Sequence, residues 1–170
     1  ATIAKAHASG VEAWLVFGGV EEAAEIVKAF KKAQYAPRLA FLRSAADPRL
    51  IELLGQDAEY AMGAAAYHPL RPGAAEFGEA FERKWKRVPG PAAAEGYAAG
   101  VVLAAGLRRA GSAAPRELRA ALAALETETV LGPYKVDPAT GEQVGMKPVV
   151  VQVLQGVREI VAPEKALTAK

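Results

Sequence analysis

Few side chains in this sequence combine the type and the spacing that chemistry needs. The most suggestive place is Gly18-Gly19, inside "WLVFGGVEEAAEIVKAFKKA" (14–33), where an apolar run stops and a helical pattern opens with Glu21 and Glu22. Glycines at a strand-to-helix corner allow backbone conformations that a Cβ disfavours, and they permit close approach of a ligand or another chain. The helix start offers unpaired N–H groups and a partial positive charge. Two uses remain open on the residues alone, a plain tight turn or the rim of a binding site. The corner is not G-x-G-x-x-G, and no G-x-x-x-x-G-K-[ST] loop exists, so no nucleotide is implied.

Covalent and metal chemistry find little support. With no cysteine, disulfides, thiolate zinc sites and cysteine nucleophiles are excluded. His7 and His68 are far apart and form no clustered ligand spacing, so neither a metal nor a cofactor is expected. There is no G-x-S-x-G elbow and no nucleophile–base spacing; Ser44 and His68 are the only candidates for a catalytic group at a strand end. The protein is therefore expected not to be an enzyme, with an α/β enzyme kept as an alternative.

The elements that would position these residues follow from periodicity. Residues 2–8 read as a helix end stopped by Gly10, 11–17 as a buried strand, and 21–33 as an amphipathic helix with Ala23, Val27 and Phe30 on one stripe. A strand at 38–42 leads to Asp47-Pro48, an N-cap followed by proline at the first helical position, and to a helix ending at Gly55. A third strand spans 60–67. A helix over 73–87 places Phe77, Phe81 and Trp85 four apart, a stripe expected in the core. This β-α-β-α-β-α order implies a parallel sheet with right-handed crossovers. "VPGPA" (88–92) then breaks the pattern. Helices at 92–110 and at "PRELRAALAALE" follow, with Gly96 and Gly100 one turn apart, as if to admit a close neighbour. Strands at 130–136, 148–154 and 157–161, joined by "DPATGE" and "QG", read as an antiparallel meander.

Net charge is +2 from 21 basic and 19 acidic residues, dispersed along the chain, which gives no electrostatic case for nucleic acid. The apolar run 92–107 is shorter than the ~20 residues a bilayer requires and carries Glu95, so it reads as a buried helix. The start, "ATIAKAHASG", lacks the apolar core of a signal peptide, as in a cytoplasmic chain, a mature product or a fragment.

Taken in order, "GVEAWLVFGG", "EEAAEIVKAFKKAQYAP", "LGQDAEYAMGAAAYHP", "FGEAFERKWKRVPGPAAAEGYAAGVVLAAGLRRAGS", "LGPYKVDPATGE" and "VVVQVLQGVREIVAP" resemble the C-terminal half of type I periplasmic solute-binding proteins, in particular the branched-chain amino-acid (Leu/Ile/Val) binding proteins of ABC importers. The resemblance implies an α/β fold, a parallel sheet with flanking helices forming part of two lobes, plus C-terminal antiparallel hinge strands. It allots residues 1–88 to the second lobe, 89–128 to helices returning to the first lobe, and 129–170 to the strands crossing the hinge. It implies capture of a small solute in an interlobe cleft, delivery to a membrane ABC permease, and a periplasmic or extracellular location. A ligand-sensing domain of a receptor or amide-type regulator is the alternative. Since a complete relative is about twice as long, a fragment is expected, with unpaired sheet edges that favour dimers or strand exchange.

The resemblance also nominates a site: Gly18, Gly19, Val20, Arg43, Ser44, Tyr67, His68 and Ala92. In the amino-acid binders an aromatic follows Gly-Gly, a glutamate in the loop after the second strand takes the ligand's ammonium, and an aromatic follows "GP". Here Val20, Arg43 or Ser44, and Ala92 stand at those places. These departures point away from an α-amino acid and toward a carboxylate, which an arginine binds by paired hydrogen bonds. Tyr67 and His68 would face the same cleft. Tyr97 is expected in the core, and Glu95 needs a partner if buried.

Overall fold

The computed structural model describes residues 2–71, 73–164 and 167. The chain forms two compact units, one of residues 1–65 with 149–170, the other of residues 66–148.

In the first unit, α1 (Thr2–Ala8) ends at Gly10, whose φ of +66° reverses the chain so that the Val11 N–H reaches the Ala6 carbonyl at 3.1 Å. There follow β1 (Ala13–Val16), α2 (Val20–Lys32), β2 (Leu39–Leu42), α3 (Arg49–Leu54) and β3 (Met62–Ala65). The chain returns from the second unit as β6 (Val149–Leu154) and β7 (Val157–Ala162). The five strands lie in the order β1-β2-β3-β6-β7. Here β1, β2 and β3 run parallel, with Val16 level with Leu42, while β6 and β7 are antiparallel to their neighbours. The expected α/β architecture with a mostly parallel sheet is what is found.

One face of this sheet makes the core. Val16, Leu42 and Val153 meet Val20, Ala23 and Ala24 of α2 and Leu50 and Leu54 of α3. Strict alternation along β6 buries Val149, Val151 and Val153 together. The register brings Gly63 against the end of β2: a Cβ there would lie 2.3 Å from the Leu42 carbonyl oxygen and 3.0 Å from Ala45 Cβ. The "QG" turn is as read, with Gln155 and Gly156 both at positive φ (53° and 76°), the geometry of a two-residue hairpin.

The second unit holds α4 (Ala74–Trp85), α5 (Pro91–Ala110), α6 (Pro115–Ala123) and a hairpin of β4 (Thr127–Thr129) with β5 (Gly132–Tyr134). Three expectations are corrected here. The strand foreseen at 130–136 is a hairpin turning at Val130-Leu131, so the C-terminal strands divide between two sheets instead of forming one meander. Of the Phe77-Phe81-Trp85 stripe, Phe77 is buried and Phe81 packs half-buried against its cluster, whereas Trp85 is 56% exposed. Nothing lies within 4 Å of a Cβ placed at Gly96 or Gly100; the close contact is at Gly106, where Leu122 Cδ2 would stand 2.5 Å away.

These contacts predict opposite outcomes for two glycine substitutions, read by chemical denaturation. Gly63→Ala should cost about 1–3 kcal/mol, since the clash is with backbone. Gly100→Ala should stabilise by up to about 1 kcal/mol through helix propensity alone.

Candidate functional site

In an open sheet with parallel strands, the loops beyond the strand carboxyl ends are where ligands bind. In the first unit this edge carries Phe17, Gly18 and Gly19 after β1, and Arg43 and Ser44 after β2. The two loops touch: Ser44 Oγ donates to the Gly19 carbonyl at 3.2 Å. Thus Gly18, Gly19, Arg43 and Ser44 form one stretch of rim, flanked by Phe17, which is 80% exposed.

Gly19 does not use the conformational freedom that glycine offers. Gly19 has φ −71° and ψ −179°, extended backbone open to any residue. A Cβ on Gly19 would lie 2.6 Å from Glu22 Oε2 and 3.6 Å from Glu21 Oε2, so both first-turn carboxylates fold back over the start of α2. They meet its partial positive charge from within the chain.

Arg49 organises the rest of the charge. Asp47 Oδ1 accepts the Arg49 backbone N–H at 2.9 Å, the N-cap role read from Asp47-Pro48. The Arg49 guanidinium reaches Asp47 at 3.2 Å and Glu21 Oε1 at 3.1 Å. Hydrogen bonding to Asp47, then its charge and that of Glu21, raises the Arg49 pKa further above its ordinary value. Arg43, by contrast, is exposed and forms no ion pair among the described residues. Sequence reasoning noted Glu21 and Glu22 at the helix start but overlooked Arg49 and the reach of Glu22 back over Gly19. The signal for Glu22 was its place three residues after the helix cap, where a side chain can reach back.

The remaining nominated residues divide between the core of the first unit and the second unit. Val20 is only 2% exposed and packs in the core with Leu42 and Ala45, as the first apolar position of α2's buried stripe. Tyr67, His68 and Ala92 belong to the second unit. Tyr67 is buried, its ring edge-on to Phe77 at 5.7 Å. His68 is buried, and its Nδ1 accepts the Leu70 N–H at 3.3 Å. Ala92 is exposed in the first turn of α5. Tyr97, expected in the core, is half-exposed over Phe77 with ring centroids 4.9 Å apart, and Glu95 is exposed and so needs no partner. Phe77, Phe81, Trp85 and Tyr97 line a groove of about 650 Å³ in that unit. A second groove of about 500 Å³, with Val102, Leu103 and Leu131 in its wall, runs along α5.

Among the described residues no group of three or more acidic or histidine side chains could hold a metal ion, and no helix is long and apolar enough to cross a membrane.

The first unit is thus an α/β sheet whose parallel strands end in two touching loops. Residues 1–157 match the model of the periplasmic binding protein family, and the chain belongs to that family. Solved structures agree on the fold. The leucine-binding protein of Thermotoga maritima is similar with TM-score 0.79 and 24% identity, over 95% of this chain and 47% of that one. A solute-binding protein of an ABC transporter from R. palustris, in complex with benzoate, is similar with TM-score 0.80 and 20% identity, over 99% and 49%. Another, from Rhodopseudomonas palustris BisB5 in complex with 3,4-dihydroxybenzoic acid, has TM-score 0.75 and 22% identity, over 92% and 45%. The chain spans about half the length of these proteins.

Two substitutions separate core from rim by thermal or chemical melting. Val20→Ala should destabilise by about 1–3 kcal/mol because it leaves a void in the core. Ser44→Ala, which removes one exposed hydrogen bond, should change stability by less than about 1 kcal/mol.

Proposed function

We propose that this chain is part of the solute-binding component of an ABC importer, taking a small organic acid at the strand-end rim of its first unit. Family membership supports the class, and similar proteins include binders of leucine, benzoate and 3,4-dihydroxybenzoate. In this reading residues 1–88 continue the second lobe, 89–128 return to the first and 129–170 cross the hinge. The protein works in the periplasm or outside the cell, hands its ligand to a membrane permease and catalyses nothing.

One observation carries the choice of an acid. Arg49 is held by Asp47 and Glu21, and the start of α2 is covered by Glu21 and Glu22. Arg43 is the rim cation left to meet a carboxylate, and its planar fork suits two parallel hydrogen bonds. Ser44 stands beside it as a further donor, and exposed Phe17 offers an apolar surface to a ring or chain.

Titration calorimetry with benzoate and leucine tests this. Benzoate should bind more tightly than leucine, and Arg43→Gln should weaken benzoate by about 10- to 100-fold, the loss of a hydrogen-bonded charge. Preference for leucine, or indifference of benzoate to Arg43→Gln, overturns the reading.

A further inference from the structure

Between β2 and α3 the chain makes a single 3-10 turn, Arg43–Ala46, whose two halves have opposite surroundings. Arg43 is exposed at its start, whereas Ala45 and Ala46 are buried. A turn this short has few hydrogen bonds of its own. The Asp47 N–H closes it on the Ser44 carbonyl at 2.9 Å. The rest of its hold comes from other parts of the fold.

Three contacts supply it. At the front, Ser44 Oγ donates to the Gly19 carbonyl. Underneath, Gly63 leaves room for Ala45, and Ala46 packs with Ala65, Val149, Val151 and Ile160. At the back, Arg158 Nη1 donates to the Ala46 carbonyl. The two residues are 112 positions apart. Arg158 stands on β7 opposite Val153, two residues before Ile160, so it shares the face that carries this packing. Since β6 separates β7 from β3, the Arg158 side chain spans a strand to reach the turn. Arg158 is half-buried, and taking a charge partly out of water is costly unless it is hydrogen-bonded. A β-branched residue would suit this strand position without that cost. What arginine adds there is a charged donor for the end of the turn.

We propose that Arg158 is a positioning residue of the rim: by holding the Ala46 carbonyl it fixes the turn whose first residue, Arg43, offers its guanidinium to a carboxylate. This rests on the reading of Arg43 as the carboxylate-binding residue. Paired hydrogen bonds need their donor held to within roughly half an ångström, which takes supporting contacts behind the binding group. Arg158 acts through the turn and not by touching the ligand.

Two variants test it. Arg158→Met keeps an apolar stem and removes the donor, whereas Arg158→Lys keeps a donor for a single carbonyl. By calorimetry, Arg158→Met should weaken benzoate by about 5- to 30-fold, the loss of one charged hydrogen bond. Arg158→Lys should stay within about threefold of the parent protein. In an Arg43→Gln background Arg158→Met should change benzoate affinity by less than about twofold, because the two residues act as a unit. By hydrogen exchange, the Asp47 amide should open at least about tenfold faster in Arg158→Met, with the β6 amides unchanged. An equal loss of affinity in both Arg43 backgrounds overturns the proposal. So does a lowered melting temperature with benzoate affinity and Asp47 exchange unchanged, which would make Arg158 a stability residue only. If benzoate ignores Arg43→Gln, the acid reading fails by itself, and Asp47 exchange decides the hold on the turn. Faster exchange with Met but not with Lys supports that hold, and unchanged exchange overturns it.

Discussion

The pairing of β3 with β6 is the constraint on which the first unit depends. Met62, Gly63, Ala64 and Ala65 sit opposite Gln152, Val151, Val150 and Val149. The ladder extends beyond the strands, with Tyr60 N–H to the Val153 carbonyl and Val153 N–H to the Ala61 carbonyl, both at 2.9 Å. The Gln152 amide reaches the Tyr60 carbonyl at 3.2 Å, and the Glu59 carboxylate accepts the N–H groups of Gln155 and Gly156 at 2.8 and 3.2 Å. Without this seam β3 would be an edge, and the core would lose Val153, which is 1% exposed. Because the partners are so distant in sequence, the core closes only after a costly loop closure, which slows folding.

The electrostatics of the rim follow from the same local economy. A helix start pointing at solvent attracts anions, and α2 supplies two of its own. Glu22 folds over Gly19, and Arg49 balances Glu21 and Asp47. These charges are exposed and screened by water and salt, so each pair contributes little to stability. Their effect is local: they cover the start of α2 with charge from within the chain.

Much of the fold was legible because its signals are local. Apolar periodicity located α2 and α4, Asp47-Pro48 marked the start of α3, and Gln155-Gly156 marked a tight hairpin. The errors arose where a distant partner decides. Nothing near Val130 reveals that the chain turns there to pair Thr129 with Gly132, and nothing near Gly96 reveals that the helix contact falls at Gly106. At the site, Gly18-Gly19 and Ser44 could be brought together because strand ends in one parallel sheet share an edge. Val20 could not be placed by alignment to a pocket-lining position, since the side chain of a helix's first residue is directed by the apolar stripe it begins.

The Ala65–Val149 pair has a consequence for how the chain is connected. These two residues are the last rung of an antiparallel ladder, so residues 66–148 leave and re-enter the sheet at neighbouring points, about 5 Å apart. In topological terms the second unit is a whole module spliced into the bend of a β-hairpin. Exchanging it for a two-residue turn would leave every strand pairing of the five-stranded sheet in register. Closure entropy changes by only about 0.6 kcal/mol for each doubling of loop length. The sheet is thus a socket that accepts insertions of very different size between its third and fourth strands, and lobes can be lengthened or traded there without redesigning the core.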